Sequence, residues 1–123
     1  SRRGRSVSVH RFALERVGDG GLLRASGELT FETAVEALAA GERLLASEKN
    51  SRVDLSGVRE GDSAGLAVLV EWLAGQLARG GQLEYAGMPA QMRSIARICG
   101  LEELLLPAAH STRQAAAGDE PRV

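Results

Sequence analysis

The sequence is poor in the residues that catalytic and metal sites commonly use. It contains a single cysteine, Cys99, so one chain can form neither a disulfide nor a multi-cysteine metal site. It contains two histidines, His10 in the first predicted strand and His110 near the C-terminus. Neither position brings an imidazole close to the polar motif around Asp62, so we expect both histidines to be structural or solvated.

The chain also lacks an excess of charge and a long apolar run. Its net charge of −1 argues against a general nucleic-acid-binding protein, which needs a basic footprint, and gives no broad polybasic surface for anionic lipids. The most apolar stretch, residues 64–73, is interrupted by Glu71 and is shorter than the roughly 18 residues of a membrane span. We therefore expect a cytoplasmic protein without direct membrane insertion.

The 123 residues are the usual size of one domain, and the order of the patterns predicts an α/β fold. We expect the basic residues 1–6 to be disordered and residues 107–123 to form a flexible tail, which leaves residues 7–106 as the domain. The predicted order is β-β-α-β-α-β-α, with an N-terminal hairpin at Asp19-Gly20 and later strands that are parallel. Helices should pack on this single sheet. The predicted strands cover residues 7–17, 22–29, 52–58 and 82–86, the predicted helices cover 33–49, 64–79 and 89–99, and residues 101–106 form a short helical turn or a terminal strand.

The apolar spacing of the first two predicted helices indicates which sides face the core. In the first helix, Val35, Leu38 and Leu45 form one stripe, and Thr30 is a plausible N-cap. In the second, the stripe has the spacing i, i+3, i+7, i+11, and Gly80-Gly81 follows as the C-terminal cap. The residues of this second stripe are Leu66, Leu69, Leu73 and Leu77.

The segment before the second helix has enzyme-like residues but no catalytic set. Ser63 has no base partner in the sequence around it. Asp54 and Asp62 could hold Mg²⁺, yet the further carboxylates and the lysine of a phosphoryl-transfer site are not evident. Asp62 has a simpler interpretation as a carboxylate that caps the helix. We predict no catalytic residue, no metal and no cofactor, and we expect Cys99 to be a small core residue.

A second side of this helix is unusually apolar for a surface that faces solvent. It carries Ala64, Ala67, Val68 and the only tryptophan, Trp72. Small residues allow a partner to approach closely, and tryptophan is a frequent hot-spot residue at interfaces. This side is therefore a candidate docking face, although Trp72 at the edge of its own core explains the same pattern.

Several motifs in this order resemble the STAS domain, the family of sulphate transporter and anti-sigma antagonist domains. They are "ASGELT" before the first helix, "VDLSGV" in the central strand, "DSAGLAVLVEWL" at the second helix, and the closing "IARICGLEELL". The resemblance extends from the first strand to Leu106. It implies a mixed sheet of four to five strands with helices packed mainly on one face, and a non-enzymatic protein that docks to a partner.

Two branches of this family differ at the Asp62-Ser63-Ala64-Gly65 turn. In anti-sigma factor antagonists a partner kinase phosphorylates the Ser or Thr immediately before the glycine, a position occupied here by Ala64. Ser63 lies one residue earlier and does not align with that acceptor. The resemblance therefore implies that the usual phosphoswitch is absent. An antagonist of this type would use phosphorylation of Ser63, phosphorylation of Ser56, or no phosphorylation at all.

The other branch is the small STAS subunit of Mla-type phospholipid ABC transporters, which resembles this chain in its turn and in the following apolar helix. The resemblance implies an ATPase subunit as partner, with Ser63 in the contact surface and a location peripheral to the inner membrane. The alternative is an anti-sigma factor antagonist with an anti-sigma factor kinase as partner. The predicted partner-binding residues are Ser63, Ala64, Ala67, Val68 and Trp72, with Asp62 and Gly65 forming the cap and turn.

Overall fold

The protein is described from a computed structural model, which covers residues 11–18 and 20–106. The predictions for residues 1–10, Asp19, both histidines and the tail 107–123 lie outside these residues. Within residues 11–18 and 20–106, eight elements follow one another: β1 (Ala13–Arg16), β2 (Leu22–Leu29), α1 (Ala34–Leu45), β3 (Asn50–Gly61), α2 (Ser63–Ala78), β4 (Gln82–Ala86), α3 (Ala90–Ile98) and α4 (Glu102–Leu105).

The strands form one mixed four-stranded sheet in the order β1-β2-β3-β4. β1 and β2 are an antiparallel hairpin, whereas β2, β3 and β4 run parallel to one another. The predicted α/β fold with an N-terminal hairpin is therefore confirmed. The strand β3 is longer than predicted, and it carries the chain directly to the start of α2.

The two faces of the sheet differ sharply in burial. On one face every strand from β2 to β4 places apolar side chains in the core beneath the helices. The other face carries charged pairs, Arg24 with Asp54 and Arg52 with Glu84. The buried residues of the first face include Leu23, Ala25, Val53, Leu55, Leu83 and Tyr85.

The start and the inward side of α1 differ from the prediction. The N-cap position is Thr33 rather than Thr30, because residues 31–33 form a turn before the helix begins. The buried residues of α1 are Ala37, Gly41 and Leu45, whereas Val35 is 83% exposed. The placement of Val35 in the core was therefore wrong.

The C-terminal ends of α2 and α3 also differ from the prediction. At the end of α2, Leu77 is exposed and Gln76 turns inward, because its amide donates to the carbonyls of Glu48 (2.6 Å) and Lys49 (3.2 Å). At the end of α3, Cys99 is exposed and is not a core residue.

Within residues 11–18 and 20–106, no helix is long and apolar enough to cross a membrane.

The buried hydroxyl of Tyr85 gives a prediction about alkaline stability. It donates to the carbonyl of Leu69 at 2.7 Å, and burial raises the pKa of Tyr85 well above its ordinary value. Unfolded tyrosine loses its proton near pH 10, so above that pH the unfolded state is favoured and the stability that Tyr85 contributes declines. Replacing Tyr85 by Phe should cost about 1 kcal/mol at pH 7.

The same variant should show a smaller loss of stability between pH 9 and pH 11 than the unmodified protein. Urea unfolding at each pH measures both effects. Absorbance at 295 nm provides an internal check, since Tyr85 is the only tyrosine in the chain. Tyrosinate that forms before the protein unfolds would contradict the expectation.

Candidate functional site

Asp62 connects the end of β3 to the start of α2. It is the N-cap residue of α2, in an extended conformation, and its Oδ1 accepts from the backbone N–H groups of Ala64 and Gly65, both at 3.0 Å. These N–H groups have no partner within the helix, so an N-cap carboxylate satisfies them and complements the helix dipole. The carboxylate of Asp62 thereby fixes the first turn of α2.

The second oxygen of the same carboxylate reaches a different part of the chain. Oδ2 of Asp62 accepts from the backbone N–H of Phe31 at 3.1 Å, in the turn between β2 and α1. The two helices begin at the same end of the sheet, because β2 and β3 are parallel and each is followed by its helix. One side chain therefore joins the starts of α1 and α2.

The turn before α1 is further ordered by buried Thr33. Its hydroxyl accepts from the backbone N–H of Thr30 at 3.0 Å and donates to the carbonyl of Glu28 at 2.8 Å. The backbone N–H of Thr33 donates to the carbonyl of Thr30 at 3.0 Å. These bonds are internal to the turn and its strand, so they give the turn a defined shape without attaching it to α2.

Two large apolar side chains at this end of the sheet were missed by sequence analysis. Phe31 is 79% exposed and Val35 is 83% exposed. They lie four residues apart, at and just after the turn that Asp62 holds. Helical spacing placed Val35 on the core side of α1, and it made no assignment for Phe31. The small residues Ala37 and Gly41, which are buried in α1, are the signal that could have corrected the inward side of this helix.

The neighbouring side of α2 is exposed and made mostly of small residues. Ser63 and Ala67 are exposed, and Ala64 between them is half-buried. Together with Phe31 and Val35 they form what we call the end surface, which consists of Phe31, Val35, Ser63, Ala64 and Ala67. The same side of α2 continues away from the end surface through Glu71, Ala74 and Ala78, all exposed.

Val68 and Trp72 do not belong to this surface. Val68 is 4% exposed and Trp72 is 1% exposed. Trp72 lies over Gly41, where a β-carbon would collide with the indole, and its ring centroid is 6.1 Å from that of Phe12. The expectation that Val68 and Trp72 lie exposed on a docking face is wrong, because both are covered by the protein's own core.

Gly65 is required by a close approach of two backbones. A β-carbon at this position would collide with the carbonyl oxygen of Leu29 at the end of β2. The backbone N–H of Asp62 donates to the same carbonyl at 3.3 Å. The first turn of α2 therefore rests directly on the end of β2, which only glycine permits.

The two aspartates considered for a metal site are not brought together. Asp54 lies on the open face of the sheet, and the residues between it and Asp62 belong to one extended strand, so they are roughly 25 Å apart along it. The backbone N–H and then the hydroxyl of Ser56 donate to Asp54 and hold the pKa of its carboxyl below the ordinary value. Within residues 11–18 and 20–106, no cluster of three metal-ligating side chains occurs.

Several carboxylates lie on the strand ends and the turn that surround the end surface. Glu28 and Glu60 are neighbours in the register of β2 and β3, Glu32 is exposed in the turn, and Asp62 lies between the two helix starts. A phosphate on Ser63 would add nearly two negative charges here. The N–H groups that could receive it, those of Ala64 and Gly65, are already bound to Asp62.

Solved structures of other proteins share this fold. Phosphorylated SpoIIAA, a cell-fate determinant of Bacillus, matches with a TM-score of 0.59 and 18% identity over 77% of this chain and 88% of that one. The unphosphorylated anti-sigma factor antagonist SpoIIAA matches with a TM-score of 0.55 and 18% identity over 70% and 81%. A sulfate transporter family protein from Wolinella succinogenes matches with a TM-score of 0.58 and 18% identity over 73% and 75%. At such identities these likenesses show the fold alone.

The sequence comparisons are more specific about the branch of the family. No curated protein sequence matches the chain. The family model described as "Mlab, STAS domain" matches residues 12–107, which includes the β1–β2 hairpin, Asp62 and the end surface. The chain therefore belongs to the MlaB-type STAS domain family.

Proposed function

We propose that this protein is the STAS subunit of an Mla-type phospholipid ABC transporter, and that it binds the transporter's ATPase subunit through the end surface. The observation that carries the proposal is that exposed Phe31 and Val35 lie at the same end of the sheet as exposed Ser63 and Ala67, in a chain of the MlaB-type family. In this role the protein is cytoplasmic and peripheral to the inner membrane.

The end surface has the composition of a protein interface. Burying an exposed Phe or Val side chain contributes about 1.5–3 kcal/mol, and interface hot spots are enriched in large anchors at the centre of a patch. Phe31 supplies such an anchor on an ordered turn, and Ala64 and Ala67 allow the partner's backbone to come close. Ser63 adds an exposed hydroxyl that can hydrogen-bond across the contact.

The proposed role requires no chemistry from this chain. A protein that binds one conformation of its partner more tightly than another shifts the partner towards that conformation. The STAS subunit would stabilise the assembled, active ATPase in this way.

The anti-sigma antagonist role has less support at this site. Ala64 has no hydroxyl at the acceptor position implied by that branch, and the charges and filled N–H groups around Ser63 disfavour a phosphate there. The partner that is recovered decides between the two roles. An anti-sigma factor kinase bound at the end surface, with no affinity for an ATPase subunit, would contradict the proposal.

The test introduces one large charged side chain at two matched alanines of α2. Ala67 and Ala78 are both exposed on the same side of the helix, and Ala67 alone lies in the end surface. Ala67→Arg should weaken binding of the purified ATPase subunit by more than tenfold, and Ala78→Arg should leave it within twofold. Isothermal titration calorimetry measures the affinities, and thermal melts should place both variants within about 2 °C of the unmodified protein, as expected for surface changes.

A further inference from the structure

The carboxylate of Asp62 is shared between the two halves of the end surface. Oδ1 accepts from the first turn of α2, and Oδ2 accepts from the backbone N–H of Phe31. Among the described residues, this is the one side-chain hydrogen bond that joins the turn 30–33 to the start of α2. Helix capping alone needs a single oxygen, so the second bond requires another explanation.

We propose that Asp62 is a positioning residue that holds Phe31 in its docking orientation before the partner binds. The inference rests on the proposed function, because it assumes that the end surface is the docking site. It adds a role for a residue that the partner does not need to touch.

The exposure of Phe31 makes this bond important. A side chain that is 79% exposed has little packing to fix its direction, so its position depends on the backbone of the turn. The bonds of Thr33 keep the shape of the turn, and the N–H of Asp62 attaches its base to α2 through the carbonyl of Leu29. The bond from the N–H of Phe31 to Asp62 is what holds the outer part of the turn against α2. Fixing a loop in its bound conformation beforehand removes an ordering cost from association.

The two oxygens can be separated by substitution. In Asp62→Asn the amide oxygen still caps α2, but the amide nitrogen is a donor and cannot accept from Phe31. Asp62→Ser also caps the helix, but its side chain is short and has one oxygen, so it cannot accept from the N–H of Phe31 as well. Asparagine and serine are as good as aspartate at the N-cap position. Asp62→Ala loses both functions and provides the comparison for loss of the cap.

We expect both cap-competent variants to bind the ATPase subunit about tenfold more weakly than the unmodified protein, while Asp62→Ala also lowers the melting temperature more than they do. In the free protein, the amide of Phe31 should exchange with solvent faster in Asp62→Asn, and its amide proton resonance should move upfield as the bond to the carboxylate is lost. Nuclear magnetic resonance on labelled protein measures both properties.

A double-mutant cycle with Phe31→Ala separates positioning from a general structural role. If Asp62 acts through Phe31, then Asp62→Asn weakens binding in the unmodified background and has no further effect in Phe31→Ala. Equal effects in both backgrounds would overturn the proposal, and so would an unchanged amide of Phe31 in Asp62→Asn. If the unmodified protein binds no ATPase subunit, the proposed function fails, and the amide measurements still decide whether Asp62 orders the turn.

Discussion

Replacing Phe31 by alanine is expected to weaken binding of the ATPase subunit by roughly 30- to 100-fold, with almost no change in the free energy of unfolding. Truncation of an aromatic hot-spot residue typically costs 2 kcal/mol or more, and each 1.4 kcal/mol is a factor of ten in affinity. The free energy of unfolding changes little, because Phe31 is already 79% exposed to solvent in the folded protein.

The structure offers a matched control for Phe31. Ile98, at the end of α3, is a large apolar residue that is 84% exposed, and it lies outside the end surface. Ile98→Ala should leave both affinity and stability unchanged. Calorimetric titration gives the affinities and urea unfolding gives the stabilities. Equal losses of affinity in the two variants, or a stability loss above 1 kcal/mol in Phe31→Ala, would mean that the end surface has been misidentified.

The parts of the fold that the sequence predicts correctly depend on local chemistry. The Gly80-Gly81 pair ends α2, with the N–H groups of Gly80 and Gly81 donating to the carbonyls of Leu77 and Gln76. Gly100 ends α3 in the same way. Strands that alternate with helices of this length require parallel crossovers, so the sheet topology follows from the order of the elements. Such features need no knowledge of distant residues.

The inward side of α1 could not be predicted in this way, because it depends on a residue from another helix. Gly41 is buried there because the indole of Trp72 fills the space that a larger side chain would occupy. Helical spacing placed Val35 on the core side and made Trp72 a candidate for a docking face, with the edge of its own core as the alternative. The structure exposes Val35 and buries Trp72. In the proposed function, Phe31 and Val35 therefore take the place of Trp72 as the large exposed residues that contact the partner.

The site was predictable only in its α2 half for a similar reason. Ser63, Ala64 and Ala67 follow a recognisable turn, so the motif itself indicates where they lie. Phe31 is joined to that turn by a hydrogen bond between residues that are 31 positions apart. Nothing in the local pattern around Phe31 contains this information, and it appears only when β2 and β3 are placed side by side.

Replacing Trp72 by alanine should lower the free energy of unfolding by about 3–5 kcal/mol, the range found when a buried Phe or Trp is truncated to alanine. The indole is 1% exposed, lies against Gly41 of α1 and is near the ring of Phe12, so its removal leaves a cavity in the core. A domain of this size is typically stable by 5–15 kcal/mol, so the variant should be folded but far more sensitive to urea. Circular dichroism should follow the unfolding, since the variant has no tryptophan left to report it.

The packing of Trp72 against Gly41 can be tested with a second substitution. Gly41→Ala alone should destabilise the protein, because the added methyl group collides with the indole. In a Trp72→Phe background the smaller ring leaves room for that methyl group, so the double variant should be more stable than the sum of the two single losses predicts. Additive losses would show that the two residues do not share one space. A Trp72→Ala variant that unfolds within 1 kcal/mol of the unmodified protein and fails to bind the ATPase subunit would return Trp72 to the interface.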